Sequence, residues 1–138
     1  MNTQPTKRIL TYGTFDVLHF GHMRLLTRAR KLGDKLLVGL SSDSFNAMKG
    51  KQADWSYERR REALLATRLV DFVFPETHWE QKPGDIARLN IDTFVMGDDW
   101  QGKFDDLSAH CDVVYLSRTP GISSTLLRGK LAQREAVV

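Results

Sequence analysis

Cysteine is almost absent from this chain. One residue, Cys111, stands among 138; alone it makes neither an internal disulfide nor a thiolate zinc cluster, which fits a reducing compartment and an expected cytoplasmic location. Long apolar runs are missing too. No segment approaches the roughly 20 apolar residues that a membrane span requires, and the opening MNTQPTKRIL has no apolar core of signal-peptide length. Neither targeting nor membrane insertion is therefore expected. GxxxxGK[ST], GxGxxG, CxxC and HExxH are all absent, which removes the Walker-type phosphate loop, the dinucleotide fingerprint, the dithiol pair and the zinc-protease helix. Ser41, Ser42 and Asp43 form no nucleophile elbow, so a covalent mechanism lacks an evident nucleophile. Internal repeats, low-complexity segments and linkers are also lacking.

What is present suits one core. A hydrophobic content of 41% over 138 residues is enough for a sizeable interior and too little for two ordinary domains. The chain reads as a single domain, 1–138, with residues 1–6 a flexible lead-in and 132–138 a C-terminal tail. The formal net charge of +3 is modest, but Lys49, Lys51, Arg59, Arg60, Arg61 and Arg68 crowd one region. Such clustering suits an anionic partner, polyphosphate or nucleic acid, although Asp54, Glu58 and Glu62 interleave and make the arginine triplet readable as a solvated helix face. Aromatic residues do not alternate with these cations as a base-stacking platform requires, so nucleic acid is the weaker partner.

Residues 7 to 12 and 35 to 40 are short β-compatible runs, and HMRLLTRARKL between them carries apolar residues at helical spacing. Gly33 is expected to close that helix in the left-handed conformation. The pattern repeats: SYERRREALLATRL as a helix capped by Ser56, VDFVFP as a strand stopped by Pro75, KPGDIARLN as a short helix opened by Pro83, then strands DTFVMG and DVVYLS. A last helix is expected from Ser123. Strands alternating with helices predict a doubly wound, Rossmann-like α/β fold, a five-stranded parallel sheet with helices on both faces. GTFDVLHFGH, SSDSFNAMKGKQ, GDDWQGK and SRTPGISS follow the first, second, fourth and fifth strands. Ligands of such sheets bind outside the carboxyl ends, so the one-sided placement of these polar segments predicts a single site.

His19 and His22 are three apart. With a helix starting near His19, both imidazoles sit on its first turn, beside unpaired N–H groups and the positive end of the dipole. That is phosphate-binding chemistry, and Gly13 and Gly21 allow the backbone to come close. Zinc would need a third ligand, and neither Cys111 nor His110 lies at a helical spacing that supplies it. Capping and packing explain either histidine singly, but less readily the pair with Asp16. RTPGISST joins a fixed cation, a turn and hydroxyls at the expected helix start, the parts of an anion cradle. Lys49 and Lys51 stand in a small-residue loop able to close over a phosphate.

GTFDVLHFGH matches the GxFDxxHxGH signature of the nucleotidyltransferase superfamily, and RTPGISS resembles the RTxGISTT segment of its cytidylyltransferase branch. The likeness continues through SYERR, VDFVFPE, HWEQK and FVMGDDWQGKFD, so the chain resembles the cytidylyltransferases that act on glycerol 3-phosphate. The resemblance implies that CTP and sn-glycerol 3-phosphate react to CDP-glycerol and pyrophosphate by direct in-line attack, with Mg²⁺, in a homodimer that serves surface-polymer synthesis such as teichoic acid. It assigns catalysis to His19, His22, Lys49, Lys51 and Arg118. Nucleotide contacts fall to Thr14, Phe15, Asp16, His19, His22, Lys51, Arg68, Asp99, Arg118, Thr119, Gly121, Ile122, Ser123, Ser124 and Thr125. Lys49, Lys82 and Arg60 fall to the acceptor. Mg²⁺ would be held mainly by the CTP phosphates, with Asp16 a candidate ligand. Pro120 stands where the branch usually has glutamate, and Trp55 where a polar residue often precedes SYE; both bear on the acceptor. Another polyol phosphate, or ATP, is the alternative within the superfamily.

Overall fold

The computed structural model describes residues 6–117 and the backbone of 123–126. Five strands lie parallel: β1 (Arg8–Gly13), β2 (Lys35–Ser41), β3 (Phe72–Glu76), β4 (Thr93–Gly97) and β5 (Asp112–Leu116). A sixth, β6 (Ser123–Leu126), pairs antiparallel with β5, and the order across the sheet is β3-β2-β1-β4-β5-β6. The expected helix start at Ser123 is thus corrected to an edge strand. Serine and threonine favour helix caps locally, but the open side of β5 offers unpaired backbone groups, and pairing with them prevails.

Both faces of the sheet are covered, as nearly continuous apolar strands demand. Ile9, Val38, Val73 and Val95 pack against Leu26 and Ala29 of α1 (Phe20–Arg30) and Leu64 of α3 (Tyr57–Ala66). Their sequence neighbours Leu10, Leu37, Phe74 and Phe94 point the other way, onto Ile86 of α4 (Lys82–Arg88) and Leu107 of a 3₁₀ turn. Leu26 and Leu64 are fully buried, and each such side chain stabilises the fold by about 1.5–3 kcal/mol. Ser56 caps α3 through its hydroxyl, as the sequence predicts. A short helix, α2 (Asp43–Met48), capped by Ser42, occupies what reads in sequence as loop.

Two punctuation residues act differently from expectation. α1 ends at Arg30 with Lys31 as a right-handed cap, and Gly33 is needed for proximity instead: a Cβ there would lie 2.8 Å from Ile9 Cδ1 and 2.9 Å from the Lys7 carbonyl. Pro75 does not stop β3 but lies inside it. β3 is an edge strand, and the Glu76 carbonyl accepts from Ser42 N, so by alternation the Pro75 position faces outward, where no ladder N–H is missed.

β1 has β2 on one side and β4 on the other, and the chain leaves β1 toward β2 and returns to β4 from β3. This is the point where strand order reverses, the place where such sheets open a crevice.

Candidate active site

A cleft of about 680 Å³ opens at that reversal, at the carboxyl ends of the strands. Of the residues predicted from sequence, it brings together Thr14, Phe15, Asp16, His19, His22, Lys49, Lys51 and Lys82. The loop from β1 to α1 is tightly built. Phe15 and Val17 take positive φ of 47° and 44°, a sparsely allowed conformation that costs about 1–3 kcal/mol per residue and persists only where surroundings impose it. Gly13 makes the fold-back possible, since a Cβ there would sit 2.8 Å from the Phe15 ring.

His19 is the N-cap of α1: its Nδ1 accepts from Gly21 N at 3.0 Å, while His22 Nδ1 accepts from His19 N at 3.2 Å. The two rings stack with centroids 3.8 Å apart, and Phe15 presents an edge to His22. A neutral imidazole whose Nδ1 accepts must carry its proton on Nε2. Capping therefore leaves both histidines as Nε2–H donors beside the positive helix end. Burial, and then the neighbouring His19, push the His22 pKa below its ordinary 6.5, which favours this neutral form.

Asp16 accepts from Asp54 N at 2.7 Å and Trp55 N at 2.9 Å. Burial pushes its carboxyl up, but the N–H groups of Asp54, Trp55 and Val17 and the Arg60 charge outweigh this and hold it below the usual range. It ties the histidine loop to the loop before α3. Among the described residues no group of three or more His, Cys, Asp or Glu gathers as a metal cage; Asp16 and Glu76 are the carboxylates that line the cleft. Trp55, whose ring lies under Arg59 at 4.3 Å, holds the same loop.

The opposite wall carries the lysines. Lys49 Nζ donates to Ser41 Oγ at 3.2 Å and lies 4.4 Å from the Phe45 ring centre. Burial lowers its pKa below 10.5; Glu76 opposes this, and the nearby Lys51, Lys82 and Arg60 charges add to it. Lys82, 4% exposed, pairs with Glu76 at 2.8 Å, and Glu76 also accepts from Ser41 Oγ at 3.2 Å. Lys51 is exposed.

Two predicted cations do not reach the cleft. Arg60 is fully buried, and its guanidinium donates to the carbonyls of Thr14, Ser41 and Trp55 and to Asp43, so it fastens four segments around the site. Arg68 follows α3 and precedes β3, at the sheet edge away from the strands' carboxyl ends. Asp99 lines a second cleft of about 450 Å³ beyond His19, with Arg24, Arg28 and Ser117. Arg118, Thr119, Pro120, Gly121 and Ile122 lie outside the described residues, as do the side chains of Ser123, Ser124 and Thr125. Sequence reasoning passed over Tyr12, Ser41, Glu76, Trp79, Trp100 and Phe104, which also line the main cleft. Glu76 was accessible to it, because Glu76 ends a strand on the same edge as the recognised segments.

The cytidylyltransferase-like family profile matches residues 10–130. A glycerol-3-phosphate cytidylyltransferase of Bacillus subtilis is 56% identical over 126 residues, 91% of this chain and 98% of the relative. One from Staphylococcus aureus is 49% identical over 130 residues, 94% and 98% of the respective chains. Among solved structures, a lipopolysaccharide core biosynthesis protein from Thermoplasma volcanium superposes with a TM-score of 0.68 at 26% identity, covering 76% of this chain and 85% of that one.

Proposed function

This chain belongs to the cytidylyltransferase-like family, and from that premise we propose that it transfers the cytidylyl group of CTP to sn-glycerol 3-phosphate, releasing pyrophosphate and forming CDP-glycerol. Relatives of that activity, 49% to 56% identical over nearly their whole length, support the choice of substrates. The acceptor phosphate is already an anion and needs no general base. Its oxygen attacks the α-phosphorus while the bond to the β-phosphate oxygen breaks, so the barrier is mostly repulsion between anions. Catalysis is then positioning and charge stabilisation.

The observation that carries this reading is the tautomer imposed on His19 and His22. Their Nδ1 atoms are occupied by backbone N–H groups, which leaves two Nε2–H donors for the CTP phosphates at a helix N-terminus. Lys49 and Lys51, across the cleft, face the acceptor phosphate and the departing charge. Asp16 keeps the loops registered. Mg²⁺ bound through the CTP phosphates, with Asp16 nearby, would offset charge on the leaving pyrophosphate. Thr14 and Phe15 give backbone contacts, and Asp99 with Arg118 to Thr125 takes the nucleoside.

A homodimer and a cytoplasmic location belong to the same proposal, since CTP is a cytoplasmic metabolite and Phe20 on α1 leaves 72% of its surface exposed. No helix among the described residues is long and apolar enough to cross a membrane. Pyrophosphate release with CTP or ATP against a panel of phosphate esters tests the reaction. Turnover with CTP and glycerol 3-phosphate is expected to exceed every other pair, and a clear preference for ATP or another ester would overturn the assignment.

A further inference from the structure

Glu76 is an unexpected residue in an anion-binding cleft. It lies among lysines, yet a carboxylate there repels a phosphate. It is 3% exposed and still lines the cleft, so the residue forms part of the floor. Oε2 accepts from Lys82 and Oε1 from Ser41 Oγ. A carboxylate oxygen has two lone pairs, which leaves one on each oxygen. Lys82 cancels the charge of Glu76, so the pair as a unit brings little to phosphate binding. Lys49 makes no ion pair among the described residues, so its ammonium is left for an anion.

The spacing joins these roles. Lys49 Nζ and Glu76 Oε1 each lie 3.2 Å from the same Ser41 Oγ. An ammonium for phosphate and a carboxylate for hydroxyls are thus one side chain apart, a separation suited to a three-carbon phosphate ester. Tyr12, Trp79 and Phe104 surround Lys82 with their rings 4.7–5.4 Å from its Nζ and provide apolar walls for the carbon chain. A hydrogen-bond donor turns the carboxylate from an obstacle into a partner, and two adjacent hydroxyls match its two oxygens.

We propose that Glu76 determines acceptor specificity by accepting hydrogen bonds from a vicinal diol next to the acceptor phosphate, with Lys82 and Ser41 fixing the carboxylate in place. This rests on the reaction proposed above. Hydrogen bonds to a charged acceptor in a desolvated site are strong, so the diol is selected against esters that lack it.

The experiment measures kcat/KM of the full chain with CTP and Mg²⁺ for sn-glycerol 3-phosphate, 3-hydroxypropyl phosphate, which lacks the middle hydroxyl, and propyl phosphate, which lacks both. Wild type is expected to prefer the diol over propyl phosphate by on the order of 10²-fold. Glu76→Gln and Glu76→Asp are expected to bring that preference below about tenfold, chiefly by losing activity on the diol, with CTP affinity by calorimetry unchanged. Glu76→Asp keeps the charge on Lys82 compensated and serves where the glutamine variant does not fold. An equal loss on all three esters, or an unaltered preference, would overturn the proposal while leaving the reaction intact. So would a wild-type preference below about threefold, which decides the matter without any variant. Absence of transfer to every ester by wild type would instead remove the reaction itself, and this proposal with it.

Discussion

The imidazoles of His19 and His22 lie face to face, 3.8 Å between ring centres and 22° between planes. Each is held by a backbone N–H on Nδ1. Capping and the proposed phosphate donation use opposite nitrogens of the same ring, so substitution can separate them.

His19→Asn keeps an acceptor near the Nδ1 position, and asparagine is among the best N-caps. It has nothing at Nε2. The variant is expected to match wild type in thermal stability and to lose on the order of 10² or more in kcat, the scale of removing one preorganised donor. His19→Ala should lose the same activity and about 1 kcal/mol of stability besides. Turnover near wild type in a folded asparagine variant would refute the donor role.

The pKa of His22 is lowered by burial and by His19. The unfolded chain therefore takes up its proton first as pH falls, and between the folded and unfolded values it binds more protons than the native state, so stability declines across that window. The contribution is present above the ordinary 6.5 and is lost as pH drops toward the lower folded value. Melting temperatures at pH values on either side of the window should fall more steeply with acid for wild type than for His22→Asn. Parallel curves would argue against the shift.

Lys49 should lose its proton below the 10.5 of an ordinary lysine, because burial disfavours its charge. The alkaline side of the kcat/KM profile for glycerol 3-phosphate is expected to decline through that lowered value. In Lys49→Arg the decline should move to higher pH, since guanidinium stays charged. A profile identical in both proteins would place the alkaline group elsewhere.

Arg60→Lys keeps the charge and loses the fork. One ammonium cannot replace four contacts to Thr14, Ser41, Trp55 and Asp43, and buried carbonyls left without donors cost about 1–3 kcal/mol each. Urea unfolding should show a loss of about 3 kcal/mol, with kcat reduced because the Thr14 loop is no longer anchored. An unchanged midpoint would mean that the buried contacts are dispensable.

Much of this was visible in the chain before any coordinates. β1, β2 and β4 are apolar runs because both faces of the sheet are covered, and the serine before YERRRE is a plain cap signal. The failures have local causes. α2 is six residues long, too short for periodicity to show, although Ser42 followed by Asp43 is a cap with an acid in the first turn. Ser123 carries cap chemistry that β5 overrides. Arg60 reads as one of three surface arginines because sequence does not reveal which face of α3 turns toward the loops. Glu76 was passed over because a carboxylate does not resemble phosphate-binding chemistry, and only its position between Ser41 and Lys82 gives it a role.

The outward position of Pro75 limits how copies of this protein can meet. A strand accepts a new neighbour only by offering a row of alternating donors and acceptors on its open side. On β3 the outward residues are Val73 and Pro75; proline has no N–H to offer, and its carbonyl already accepts from Gln81 Nε2 at 3.2 Å. Losing that donor disfavours lengthening of the sheet past β3 by another chain. Contacts on that side fall mainly to side chains on helices and loops, where shape and charge, more than backbone pairing, select the partner.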